Sequence, residues 1–252
     1  MKQTYTFNIN GFDIRAVYDD QTVDEIILPL LRKWTALYQT KGRRVIVFLS
    51  APPGTGKTTL SQFIEHLSRC TNGIELVQAL GLDGFHYHQS YILTHDAVVD
   101  GKTVPMKSVK GCPETFDREH LTEKLRLMQT QDVMWPVYDR TLHDAVDDVI
   151  SVTANIVLIE GNWLLFNEGP WADLIGLCDD SIYIGASPEQ LAERLIERKM
   201  KGGLNRADAE AFYNRSDKRN IERLTERHHK AETTLVMVED GVLRHEQGGN
   251  VL

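Results

Sequence analysis

Residues 45–59 read Val-Ile-Val-Phe-Leu-Ser-Ala-Pro-Pro-Gly-Thr-Gly-Lys-Thr-Thr. An apolar run, a glycine-containing loop and a helix start follow one another directly, the order of a buried strand that hands over to a phosphate-holding turn. In such a loop the backbone N–H groups, with those of the first helical turn, surround the phosphates of a nucleoside triphosphate. The lysine reaches the β and γ phosphates, and the hydroxyl after it holds Mg²⁺. Lys57 and Thr58 take those two places, Gly54 and Gly56 let the backbone come close, and Pro53, Thr55 and Thr59 complete the loop. The pattern G-x-x-x-x-G-K-[ST] is kept except at its first position, where Ala51 stands for glycine. One methyl group is a small steric change, so a P-loop with a modified entry turn is expected.

The chain has 252 residues, which suits one α/β domain with added segments better than two independent domains. Its formal charge of −8 argues against a general affinity for nucleic acid or an anionic membrane, because phosphate surfaces reward net positive charge. A small anion remains compatible, since a loop of amides and one lysine bind it locally. Cys70, Cys112 and Cys178 are far apart with no C-x-x-C spacing, as expected of free thiols in a reducing compartment. The N-terminus lacks an apolar signal-like core and no stretch approaches a membrane span, so a cytoplasmic protein is expected. Nothing in the sequence sets an oligomeric state.

Around the loop, Tyr5, Phe7 and Ile9 alternate before Asn10-Gly11, and Phe12, Ile14 and Ala16 alternate after it, a hairpin signal. Thr22 and Glu25 have capping-box spacing, and Ile26, Ile27, Leu30, Leu31 and Trp34 follow at helical spacing, with a kink or restart expected at Pro29. This hairpin and helix, residues 1–40, are read as an extension that packs on the core and carries no chemistry. Further strands are expected over 74–79, 133–137, 156–159 and 181–184, and helices over 60–67 and 119–128. Residues 87–116 read as an acceptor-side insertion, loop-like and too long for a connector. The charged stretch 188–227 reads as helical with a break at Gly202-Gly203. Strands alternating with helices point to a mainly parallel sheet with helices on both faces.

Asp83 and Glu160 each follow an apolar strand, in Leu82-Asp83-Gly84-Phe85-His86-Tyr87 and Val157-Leu158-Ile159-Glu160-Gly161-Asn162. In open α/β sheets ligands bind at the carboxyl ends of strands, and a carboxylate there can take a hydroxyl proton or hold Mg²⁺ through water. The bland reading of each is a loop-capping acid. His86 and His88 would face one way on a strand, but no third ligand has motif-like spacing, so contact of His86 or Tyr87 with a substrate is favoured over zinc. His228-His229 and Asp147-Asp148 read as solvated surface, and Trp135, Trp163 and Trp171 as core or strand-edge residues.

The loop, Asp83 to His86, Lys110 to Asp117, Pro136 to Arg140, Glu160 to Asn162 and the helix Leu191 to Arg198 occur in the order seen in a known group. Over roughly residues 44–225 the chain resembles the P-loop kinases that include uridine kinase, phosphoribulokinase and type I pantothenate kinase. It is most similar to a bacterial nucleoside/nucleotide kinase-like branch associated with fructose transport. The resemblance implies a three-layer P-loop kinase fold and ATP- and Mg²⁺-dependent phosphorylation of a hydroxyl on a small metabolite. It implies Asp83 as catalytic base, and Arg194 and Arg198 on a lid that closes over the phosphates with Lys57. It implies that the Pro136 segment, with Tyr138 and Arg140, lies near the acceptor; read with it, Asp83, His86, Tyr87 and Glu160 are expected on the acceptor side, and Thr58, Glu160 and Asp83 around the metal. A sugar or sugar derivative is the preferred acceptor, with nucleoside and pantothenate next. The bland alternative for the helix arginines is a solvated face with local ion pairs.

One departure bears on the acceptor. Relatives commonly carry a histidine two residues after the tyrosine of the Pro136 segment, and here Arg140 stands there. An arginine suits an anionic acceptor such as a sugar phosphate or a carboxylate. A structural pair with Asp139 or Asp144 suits it equally. Two rivals of other classes are a nucleotide-switch NTPase, which would bring an N-K-x-D segment that is missing here, and a nucleotide binder without transfer activity.

Overall fold

A computed structural model describes residues 2–9, 12–239 and 241–246. Strands β1 (Lys2–Ile9) and β2 (Phe12–Asp19) pair antiparallel with Ile9 opposite Phe12, and the Asn10-Gly11 turn between them lies outside the described residues. A single turn, α1 (Asp20–Thr22), leads through a π-turn (Val23–Ile27) into α2 (Leu28–Lys41). Asp19, not Thr22, caps this start: its Oδ1 accepts the Thr22 N–H at 3.0 Å. The Thr22 hydroxyl is occupied by the backbone of Leu243, accepting its N–H at 3.0 Å. Pro29 has no N–H to offer one turn back, and the wider π-turn just before it absorbs the irregularity, with the Leu28 N–H reaching the Val23 carbonyl.

The rest of the chain builds the core: β3 (Val45–Ser50), α3 (Lys57–Cys70), β4 (Val77–Gly81), the short helix α4 (Gln89–Thr94), β5 (Asp96–Val99), β6 (Lys102–Pro105) and α5 (Arg118–Met128). Then come β7 (Val133–Asp139), β8 (Asp144–Val152), β9 (Ile156–Gly161), β10 (Asp180–Ala186), α6 (Pro188–Lys201), α7 (Arg206–Phe212), α8 (Lys218–Glu226), β11 (Thr233–Glu239) and β12 (Val242–His245). The main sheet runs β12-β11-β10-β3-β9-β4, parallel except for β12 at one edge.

Alternation sorts the sheet's side chains between two apolar layers. Val45, Val47, Leu49, Ile156, Leu158, Ile182 and Ile184 face Trp34 of α2 and Phe63 of α3. Ile46, Phe48, Val157 and Ile159 face Leu121 and Leu125 of α5 together with Trp135 and Trp163. Each such side chain contributes about 1.5–3 kcal/mol when fully buried. A one-residue slip would exchange the two faces, so the register is firmly held.

Three further expectations need correction. The 133–137 strand lies outside the main sheet; as β7 it pairs antiparallel with β8, which the sequence reading missed. Residues 87–116 are not a loop: α4 and the β5–β6 ribbon close around a small core of Ile92, Ala97, Val99, Met106, Val109 and Cys112. The tryptophans 135, 163 and 171 are core residues. His228 is half-buried and stacks on Tyr183 at 3.9 Å, a packing role and not a solvated one.

Helix α2 is tied to the sheet by a buried carboxylate. Asp180 accepts from Trp34 Nε1 at 2.6 Å and from Lys33 Nζ at 2.7 Å. Asp180→Ala strands a buried indole N–H, and the expected loss of stability is about 1–3 kcal/mol in urea denaturation. A loss below about 0.5 kcal/mol would mean the contact acts like a surface ion pair.

Candidate active site

Gly54 (φ +93°) and Gly56 (φ +85°) hold the left-handed backbone that wraps the loop between β3 and α3. A side chain at Gly54 would also press on Leu195 of α6, its Cβ 3.2 Å from Cγ, so this helix lies directly against the loop. Thr55 closes the turn by donating its hydroxyl to the Pro52 carbonyl at 2.9 Å. Ala51 is fully buried in the apolar layer and, among the described residues, is absent from those with positive φ. Its position therefore needs no glycine, and the methyl fills core.

Strand register brings the acids to the loop. Leu49 and Gly81 both pair with Glu160, so β3, β9 and β4 end at one level and present Ser50, Glu160 and Asp83 together. The Thr58 hydroxyl donates to Glu160 Oε1 at 2.7 Å. Gly84 makes the close approach that fixes Asp83: a Cβ there would fall 2.3 Å from the Pro136 carbonyl oxygen.

The charges meet in one place. Burial pushes the Lys57 ammonium below its usual range; Glu160 and Asp83 oppose that shift, and Arg198 and Arg140 add to it. Burial likewise pushes the Glu160 carboxyl up, with Lys57 opposing. Arg198 is pushed down by burial while Asp217 and Asp83 hold it charged. Lys57, Asp83, Arg140 and Arg198 make no side-chain hydrogen bond or ion pair with another described residue.

Two cavities flank the loop. One, about 250 Å³, is lined by Thr58, Asp83, Tyr138, Arg140 and Glu160 together with Ser61 and Gln62. The other, about 180 Å³, lies beside Thr55, Gly56 and Thr59 and is walled by Arg194, Met237 and residues 15–18 of β2. The N-terminal hairpin thus reaches the loop, which its alternating pattern did not signal. Tyr18 anchors it by stacking on Phe63 of α3 at 4.3 Å.

His86 and Tyr87 are not brought to the first cavity. His86 Nδ1 donates to the Asp83 carbonyl at 2.9 Å, and its ring packs 3.9 Å from Phe116. Tyr87 points instead into a third cavity of about 470 Å³ with Phe116, Phe166 and Trp171. His88 lies against β8, 3.5 Å from Asp144 and 3.4 Å from Asp147. Three residues were missed in the sequence. Lys110 Nζ donates to the Tyr138 hydroxyl at 2.9 Å and to Gln89 Oε1 at 2.6 Å. Gln62 carries no motif signal, and Asp217 sits at the end of a second π-turn (Tyr213–Asp217) with Oδ2 buried and unpartnered among the described residues.

An Escherichia coli K12 protein named "Uncharacterized protein YggC" is 43% identical over 234 residues, which is 92% of this chain and 95% of that protein. A Schizosaccharomyces pombe protein, C227.14, named as a candidate uridine kinase, is 30% identical over 188 residues, 73% of this chain and 77% of that protein. The chain belongs to the P-loop kinases. A solved structure of a candidate fructose transport system kinase from Silicibacter sp. TM1040 matches this kinase with a TM-score of 0.68 at 28% identity, over 80% of this chain and 98% of that one. No protein-family model matches the kinase. None of its helices, among the described residues, is long and apolar enough to cross a membrane.

The donor set fits Mg²⁺. Among the described residues no group of three or more His, Cys, Asp or Glu side chains could hold a metal by itself. Mg²⁺ keeps most of its waters and takes one or two protein oxygens plus substrate phosphates. The Thr58 hydroxyl beside the Glu160 carboxylate is such a pair. Glu160→Gln keeps an acceptor for Thr58 but removes the charge. The expected result is a fall in Mg-ATP affinity of about tenfold or more, roughly 1.4 kcal/mol, with Mg-free ATP binding unchanged or tighter. Equal loss with and without Mg²⁺ in binding titrations would make Glu160 a structural acid.

Proposed function

We propose that this kinase transfers the γ-phosphoryl group of ATP, with Mg²⁺, to a hydroxyl of a sugar or sugar derivative. The observation that carries the reading is the meeting of one unpartnered carboxylate, Asp83, with the unpartnered cations Lys57 and Arg198 beside a cavity that also holds Thr58 and Glu160. Charged groups left without protein partners at a cleft are arranged for charge that a ligand brings.

Phosphoryl transfer asks the protein for positioning and charge balance more than for covalent chemistry. The loop from Pro53 to Thr59, with its amides, holds the triphosphate. The nucleoside then runs toward the cavity of Arg194 and β2, and the γ phosphate faces the opposite cavity. Thr58 and Glu160 are the residues that would hold Mg²⁺, and the ion would supply positive charge to offset the negative charge that develops on the phosphates. Asp83 orients the acceptor hydroxyl and accepts its proton as the oxygen–phosphorus bond forms and the bridge to the β phosphate breaks. Lys57 and Arg198 neutralise charge on the phosphoryl group in transit. Closure of α6 and the helices after it would exclude water, the competing acceptor.

Asp83→Asn is expected to lower acceptor-dependent ADP release about 10²–10⁴-fold while leaving ATP affinity near wild type. Arg198→Met is expected to lower kcat about 10²–10³-fold with little change in the acceptor KM. Both follow from ADP release in Mg-ATP over a panel of ketoses, aldoses, sugar phosphates, nucleosides and pantothenate. Turnover indifferent to every acceptor would support a switch-type NTPase instead, and wild-type turnover in Asp83→Asn would remove the base assignment.

A further inference from the structure

We infer that the acceptor is itself an anion, a compact hydroxy compound whose carboxylate or phosphate is bound by Arg140. This rests on the kinase reading above and adds the acceptor's charge to it. Arg140 follows the last residue of β7 and lines the acceptor cavity with Asp83, Tyr138 and Glu160. Its guanidinium makes no hydrogen bond or ion pair with another described residue.

The two carboxylates that would make Arg140 structural are engaged elsewhere. Asp139 Oδ1 accepts the backbone N–H groups of Thr141 and Leu142 at 2.7 and 3.0 Å, closing the β7–β8 turn. Asp144 Oδ1 accepts those of Gln89 and Ala145 at 2.8 and 2.9 Å and lies beside His88. Arg140 is therefore left as an exposed, unspent cation in a cleft.

Asp83 and Glu160 of the acceptor cavity each have a task of their own, and Arg140 is the lining cation left for a ligand. Lys110 stands behind the same wall, its Nζ 5.1 Å from the Tyr138 ring centre and bonded to that residue's hydroxyl. Against Arg140 and Lys110 the wall offers Asp83, which the reaction uses as base, and Glu160, which accepts from the Thr58 hydroxyl. His86 is pushed below its ordinary value by burial and so adds no positive charge near neutral pH. Guanidinium groups favour planar or tetrahedral oxyanions that take two parallel hydrogen bonds, and they offer little to a neutral sugar. The cavity's volume of about 250 Å³ is below the ~300–1,000 Å³ of sites for drug-sized ligands, which suits a compact acceptor.

The test is ADP release by the full chain in Mg-ATP with matched sets: pentoses and hexoses, the corresponding sugar acids, and the corresponding sugar phosphates. Wild type is expected to prefer a charged member of a set over its neutral sugar by about ten- to a hundredfold in kcat/KM. Preference for the acids identifies a carboxylate, and preference for the phosphates a phosphate monoester. Arg140→Ala is expected to erase that preference by raising the acceptor KM, with the ATP KM and melting temperature unchanged, and Arg140→Lys to restore part of it. Neutral sugars preferred by wild type and variant alike would overturn the anionic assignment and leave the kinase standing. So would an Arg140→Ala defect confined to the ATP KM or to kcat, which would place the guanidinium on the phosphates. No stimulation by any acceptor class would overturn both readings.

Discussion

Three parallel strands that stop at the same level are the constraint on which the site depends. The pairing of Leu49 with Glu160 and of Glu160 with Gly81 fixes where β3, β9 and β4 end. The strand ends then carry the phosphate loop, the acid beside Thr58, and Asp83 without any of the three having to reach. That register is held far from the chemistry, by the alternation of buried side chains between the layer of Trp34 and Phe63 and the layer of Trp135 and Trp163. A shift by one residue would turn each face outward and carry Glu160 away from Thr58 in the same movement.

Electrostatics divides the residues of the cleft by task. The buried pairs elsewhere are satisfied: Asp180 by Trp34 and Lys33, and Glu114 by both terminal nitrogens of Arg223, at 3.0 and 2.6 Å. In the cleft the opposite holds: burial lowers the Lys57 ammonium and the Arg198 guanidinium, Arg198 and Arg140 add to the shift of Lys57, and Arg140 adds to that of Arg198. Repulsion of this kind lowers the stability of the empty protein and is relieved when polyanionic phosphates enter. The glycines serve the same division. Gly56 keeps the loop open at φ +85°, and Gly84 allows β7 to press against the turn that carries Asp83.

Much of this was legible in the chain because the signals are local. The strand–loop–helix of 45–59, the strand-end positions of Asp83 and Glu160, and the helix of Arg194 and Arg198 depend on residues near one another in sequence. What was not legible depends on distant partners. Strand β8 was hidden because Asp147, Asp148 and Val149 are exposed, so its pattern is not that of a half-buried strand. Thr22 read as a cap, yet its hydroxyl is taken by Leu243 at the other end of the chain. Residues 87–116 read as loop because their apolar residues are few and spread out, and they gather only when α4 folds back on the β5–β6 ribbon. The opposite facing of His86 and Tyr87 follows from a single bridge between His86 and Phe116, which no spacing announces. Ala51 is the converse case: an apparent departure from the loop pattern becomes ordinary once its backbone needs no glycine.

The central claim is that the loop separates a nucleoside side from an acceptor side. A crystal structure with Mg²⁺ and a non-hydrolysable ATP analogue tests it most directly. The account predicts the triphosphate on the amides of Gly54 to Thr59, the base in the cavity of Tyr18 and Arg194, and the terminal phosphate facing Asp83 with Mg²⁺ beside Thr58. A nucleotide seated with its base against Asp83 and Tyr138, or in the cavity of Tyr87 and Trp171, would contradict it.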